Sequence, residues 1–121
     1  MRILVLDDQG LAEREHIFRA AFPTSPTLYL TIWTKFPPDF EYFDMFDVIS
    51  WDNDLGDGSD VIERLKSLLW VLPNRFEKHF SHQYHIVHSA NPAAAERLVQ
   101  LFRDIGAQAD QCSILNYHPR L

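Results

Sequence analysis

Four carboxylates stand directly behind two short apolar runs: ILVL runs into Asp7 and Asp8, and VISW runs into Asp52, Asn53 and Asp54. Carboxylate oxygens without Lys or Arg neighbours are hard, acceptor-only ligands, suited to Mg²⁺ or to Mn²⁺. Asp7, Asp8 and Asp52 are therefore the candidate metal ligands, with Asp52 also a candidate general base or transient nucleophile. An ion held this way keeps several waters and an open position for a phosphate oxygen. A second stretch, VHSANP, offers the complementary groups. The Ser89 hydroxyl and the backbone amides of Ala90 and Asn91, at the start of a helix, form a phosphate cradle without basic residues. An unperturbed imidazole ionises near neutrality, so His88 is the candidate proton donor or acceptor, with His118 a second candidate. The chemistry these residues suit is metal-assisted handling of a phosphate-bearing small ligand. Nothing in the spacing fixes an Asp-His-Ser relay, so a nucleophilic serine is not expected.

Such a site needs strands that end together. Each apolar run of four, cut off by acid, reads as a buried parallel strand whose carboxyl end opens into a crevice, where ligands of open α/β sheets sit. Strand-like segments at 2–6, 27–33, 47–51, 84–88 and 108–114 alternate with helix-like ones, as in a βαβ architecture. Leu11, Phe18, Ala21 and Phe22 make one helical stripe, ended by Pro23. TKFPPDFEYFDMF reads as a loop with one helical turn, because its two prolines block a helix start. The aromatic and Met side chains from Phe40 to Phe46 need burial. Asp60 and Glu63 have capping-box spacing ahead of a stripe of Val61, Leu65, Leu68, Leu69 and Leu72, which Pro73 breaks or kinks. Asn91-Pro92 starts a further helix with Leu98, Leu101, Phe102 and Ile105 on its buried face, and Gly106 closes it.

At 121 residues and 46% hydrophobic content the chain fits one domain, residues 1–121. A net charge of -6, from 17 acidic and 11 basic residues, argues against a nucleic-acid-coating surface. The single cysteine, Cys112, has no intramolecular disulfide partner, and no apolar stretch is long enough to span a bilayer. The Met1-Arg2 start lacks signal-peptide character, so a cytoplasmic location is expected. His79, His82, His85 and His88 recur every third residue but cross from a helix end into a strand. That change of period scatters the rings, so a histidine metal site is not expected. Trp33, Trp51 and Trp70 read as core. Asp54, Asp57 and Asp60 read as turn or cap positions, with Gly56 and Gly58 supplying the turn.

Over most of its length this pattern resembles the receiver domains of two-component response regulators. There an acidic pair follows strand one, the phosphoacceptor Asp ends strand three, Ser or Thr ends strand four, and Lys-Pro follows strand five. Asp7 and Asp8, Asp52, and Ser89 match the first three elements. The resemblance implies a flavodoxin-like three-layer α/β sandwich with five parallel strands in the order 2-1-3-4-5. Two departures are informative. The Lys is missing, His118 before Pro119 being the nearest candidate, and the C-terminal helix is missing because the sequence stops soon after strand five. The sheet face this exposes would be masked by a partner subunit, in a homodimer, or by the aromatic segment 36–46. DNDLGDG and VHSANP are further similar to a divergent subgroup, the cyclic-phosphate-processing receiver domains, although Asn53 replaces the His of the usual DHDLG. That resemblance implies binding or hydrolysis of a cyclic phosphate, such as a cyclic nucleotide. The alternatives are a signalling receiver phosphorylated on Asp52 and a non-catalytic protein that sequesters a cyclic nucleotide.

Overall fold

The structure, a computed structural model, describes residues 1–8, 10–55, 60–119 and 121, and for residues 10–13 the backbone alone. Five strands, β1 (Arg2–Leu6), β2 (Tyr29–Trp33), β3 (Val48–Trp51), β4 (Tyr84–Val87) and β5 (Gln108–Gln111), form one sheet. Every pairing is parallel and the order is β2-β1-β3-β4-β5. This is the doubly wound order of flavodoxin-like and receiver-type folds, as expected. The apolar runs are short because each central strand is buried on both faces and ends where the crevice begins.

Strand periodicity divides the core. Ile3, Val5, Val48 and Ile86 face one side, where they meet Phe18 and Phe22 of α1 (Gly10–Ala21) and Tyr117. Leu4, Leu6, Ile49, Trp51 and Val87 face the other, against α2 (Val61–Val71), α3 (Pro73–Phe80) and α4 (Pro92–Asp104). Pro73 does more than interrupt a helix. Leu72 leaves helical geometry at φ −136°, and Pro73 opens α3 at its first position, where its missing N–H costs nothing. Asn91 caps α4 through its side chain to the Ala94 amide, and Gly106 follows it at φ 84°, the left-handed geometry that glycine adopts without strain.

The aromatic segment does not cover the α1 side of the sheet. Phe36, Phe43 and Phe46, with Phe40 and Tyr42 against them, pack on the α2–α4 side around a 3-10 turn at Phe40–Met45. On the α1 side, cover comes instead from the chain after β5: Cys112, Ile114 and Tyr117. Among the described residues a short 3-10 turn, Ile114–Asn116, follows β5 in place of an α-helix. Two expected core residues lie outside it. Met45 is half exposed, and Trp70 is 89% exposed because it sits two residues, about 200° of helix, beyond the buried Leu68. Leu11's side chain, Gly56, Asp57 and Gly58 lie outside the described residues. No described helix is long and apolar enough to cross a membrane.

Candidate functional site

β1 and β3 lie side by side at the centre of the sheet, with Leu6 opposite Trp51. The next residue of each strand is therefore an aspartate at the carboxyl edge. The Asp52 amide donates to Leu6 O at 2.9 Å and the Asp7 amide to Trp33 O at 3.0 Å, which holds both backbones in the ladder. One carboxylate oxygen from each of Asp7, Asp8 and Asp52 lies within 4.8 Å of the others, the only such group of metal-ligating side chains among the described residues. Asp7 and Asp52 are buried and Asp8 is half-buried.

Crowding has an electrostatic consequence. Burial, a hydrogen bond with Asp8 and the charges of Asp7 and Asp8 push the Asp52 carboxyl up to about 7, opposed by the Asn53 amide. Burial first, and then the neighbouring carboxylates, thus favour the protonated form of Asp52 over the charged one. A small dication relieves the carboxylates' repulsion, and the all-oxygen donor set suits Mg²⁺ or Mn²⁺. The residues fit the ion.

Two donors converge on Asp7 Oδ2: Arg14 Nη1 at 3.2 Å and His88 Nε2 at 3.0 Å. His88 Nδ1 lies 2.7 Å from Ser50 Oγ, and Ser50 Oγ lies 2.5 Å from the Tyr117 hydroxyl. The imidazole is enclosed by Phe18 and Tyr117 at ring distances of 5.1 and 5.9 Å. Burial holds its pKa below the usual range, against the pull of Asp7. His88 is therefore a neutral ring with both nitrogens engaged and no face open to a ligand. An Asp-His-Ser chain does exist, which the spacing alone could not fix. It runs through Ser50 instead of Ser89, and Ser50 is wholly buried, so it is no nucleophile.

Ser89 lies on the same edge, half-buried just beyond β4, and its Oγ accepts from the Asn91 amide at 3.2 Å. Of the expected cradle, the Asn91 N–H is thus already used, and Ala90 is exposed beside it. Asn53, where the similar subgroup carries His, is a helix anchor: its side-chain oxygen accepts from the Ile62 amide at 3.0 Å and its carbonyl from the Val61 amide at 2.8 Å. Asp60 caps α2 through the Glu63 amide, and Asp54 is exposed. His118 lies seven residues past the end of β5 and lines a separate cleft of about 290 Å³ with Tyr84, Asp110, Gln111 and Cys112.

The other histidines are scattered as expected. His79 pairs with Asp44 at 2.7 Å, His82 is exposed, and His85 is buried in the aromatic core. Arg14, Ser50 and Tyr117 are members of the site that sequence reasoning misses. A signal existed for the first two. Arg14, Phe18 and Phe22 recur at helical spacing, which places Arg14 one turn nearer the acidic edge, and Ser50 is the one polar residue inside an otherwise apolar strand.

No family model matches this chain, and no curated protein matches it. Among solved structures it is similar to the response regulator domain of Thermotoga maritima CheB, with a TM-score of 0.49 and 19% identity, covering 93% of this chain and 77% of that one.

Proposed function

We propose that the protein binds Mg²⁺ at Asp7, Asp8 and Asp52 and uses it to hydrolyse a cyclic phosphate in a small molecule or nucleotide. The observation that carries this reading is the convergence of three carboxylates at the carboxyl edge of β1 and β3. When bound, the ion supplies charge neutralisation for phosphoryl oxygens. Asp7, oriented by Arg14 and His88, and Asp8 hold it. Asp52 takes the proton of the attacking water as the new P–O bond forms and the ring P–O bond breaks, and solvent protonates the leaving oxygen. The Ser89 hydroxyl, on the same edge, donates to a phosphoryl oxygen. His88 acts through Asp7, because neither of its nitrogens faces the ligand.

A second reading is a receiver phosphorylated on Asp52, favoured by the sheet order and by the position of Asp52 at the end of the central strand. Phosphorus NMR with Mg²⁺ and a panel of 2′,3′-cyclic, 3′,5′-cyclic and cyclic-dinucleotide phosphates separates the readings. Conversion of one compound, lost in Asp52→Ala, is expected. Intact but broadened ligand signals would replace hydrolysis with sequestration. No response to any ligand, together with a covalent adduct on Asp52 after treatment with acetyl phosphate, would establish the phosphoacceptor.

A further inference from the structure

Residues 7, 50 and 88 share one face of three adjacent strands, and the chain returns over that face to bring Tyr117 against them. The face is otherwise lined by Ile3, Val5, Val48 and Ile86 together with Phe18 and Phe22. A polar chain there is costly unless every group is satisfied. Asp7, Ser50, His88 and Tyr117 are 2%, 0%, 1% and 5% exposed, and each has a partner in the next.

The proton positions follow from donor and acceptor capacity. Arg14, which only donates, lies on Asp7 Oδ2, so that oxygen is an acceptor, and His88 Nε2 on the same oxygen must carry a proton. From the other end, the buried Tyr117 hydroxyl has Ser50 Oγ as its partner, so its proton goes there, and the proton of Ser50 is left for His88 Nδ1, which accepts it. Every bond donates in one direction, from Tyr117 through Ser50 and His88 to Asp7.

The outer end of this chain sits in a lightly held segment. Leu115 is 95% exposed and Asn116 is exposed, leaving Tyr117 as the buried anchor, with Cys112 and Ile114 half-buried. Segments with few buried contacts open locally before the core does.

We propose that Tyr117, Ser50 and His88 are positioning residues that form a one-way donor chain. The chain sets Asp7 for cation binding and couples the acidic cluster to the segment after β5, so that the charge on Asp7 and the docking of residues 112–117 control one another. By linkage, whatever stabilises one end stabilises the other. The cation's part in this rests on the reading of the acidic cluster given above.

The test has two arms. On protein without added cation, imidazole nitrogen NMR is expected to find His88 protonated on Nε2 alone. Amide exchange over residues 112–117 should speed up in Asp7→Asn but not in Asp8→Asn, whose carboxyl is outside the chain. In the second arm, Tyr117→Phe, which keeps the ring packing, and Ser50→Ala each weaken Mg²⁺ binding by about tenfold, the usual scale for groups that orient a ligand. A His88 proton on Nδ1, or exchange indifferent to Asp7→Asn in a folded protein, overturns the proposal. Unchanged Mg²⁺ affinity in both folded variants does the same. If the wild-type protein takes up no Mg²⁺, the reading of the acidic cluster falls, and the donor chain is decided by the first arm alone.

Discussion

Two histidines three residues apart, His85 and His88, are both buried and both held below the ordinary histidine pKa, yet they belong to different regions of the molecule. His85 faces the α2–α4 side. It accepts from Trp51 Nε1 at 3.0 Å, donates to Phe80 O at 2.8 Å, and stacks on Phe102 at 3.8 Å and 3°. Its hydrogen bonds end in the core. His88 faces the α1 side, and its bonds lead at one end to an acidic cluster and at the other to the chain after β5. Burial alone therefore does not separate a histidine tied to the core from one tied to the acidic cluster. What separates them is where the chain of partners ends.

Substituting each histidine breaks this comparison most directly. His85→Ala leaves a cavity inside an aromatic cluster and an unpartnered Trp51 N–H, at a cost of about 4 kcal/mol. Mg²⁺ affinity of the folded fraction should be unchanged. His88→Ala should cost a similar amount, about 4 kcal/mol, since it removes a buried ring between Phe18 and Tyr117 and takes a partner from both Ser50 and Asp7. It should lower Mg²⁺ affinity at least tenfold. Urea unfolding and calorimetric titration of both variants check this, and equal losses of affinity would erase the distinction.

The two regions should also answer pH with opposite sign. His85 is lowered from 6.5 to about 4 in the folded protein, so it contributes stability that is present above 6.5 and lost as pH falls through 4. Asp52 is raised from 3.8 to about 7, so its contribution is present below 3.8 and lost as pH rises through 7. Only the second effect is linked to the cation, which competes with the Asp52 proton. The gain in unfolding free energy on adding Mg²⁺ should therefore grow from pH 5 to about 7 and level off above it. A gain independent of pH across that window would show that Asp52 is not a ligand.

Much of this was legible in the sequence, for identifiable reasons. The strands were readable because each central run is short, apolar and closed by a polar residue, and this also located the Asp7, Asp8 and Asp52 cluster. The chain from Asp7 to Tyr117 was not legible, because its members are brought together by strand pairing and not by sequence proximity. His88 looked like a free acid-base group only while its two strand neighbours were unknown. Which face the aromatic segment covers is not legible for a similar reason: composition demands burial but does not say which side of a sheet supplies it. Trp70 shows the converse, since a large apolar residue joins the core only if helical phase points it there.

Ser89 offers the finest discrimination, because it adjoins His88 yet lies outside the buried chain. It is half-buried, and among the described residues its hydroxyl has one hydrogen bond, from the Asn91 amide, a group that water can serve equally well. Ser89→Ala should thus change stability by less than about 0.5 kcal/mol, as for other substitutions at accessible positions. If Ser89 donates to a charged phosphoryl oxygen, the lost bond is worth about 1.5 kcal/mol, or roughly tenfold in ligand affinity, while Mg²⁺ affinity stays as it was. His88→Ala should show the reverse order of effects, with the cation lost before the phosphate. Parallel titrations of Mg²⁺ and of the phosphate ligand against both variants would therefore divide the edge into a cation half, governed from inside the sheet, and a phosphate half, governed from the β4–α4 turn. Loss of Mg²⁺ binding in Ser89→Ala would merge the two halves and remove the reason for assigning them separate tasks.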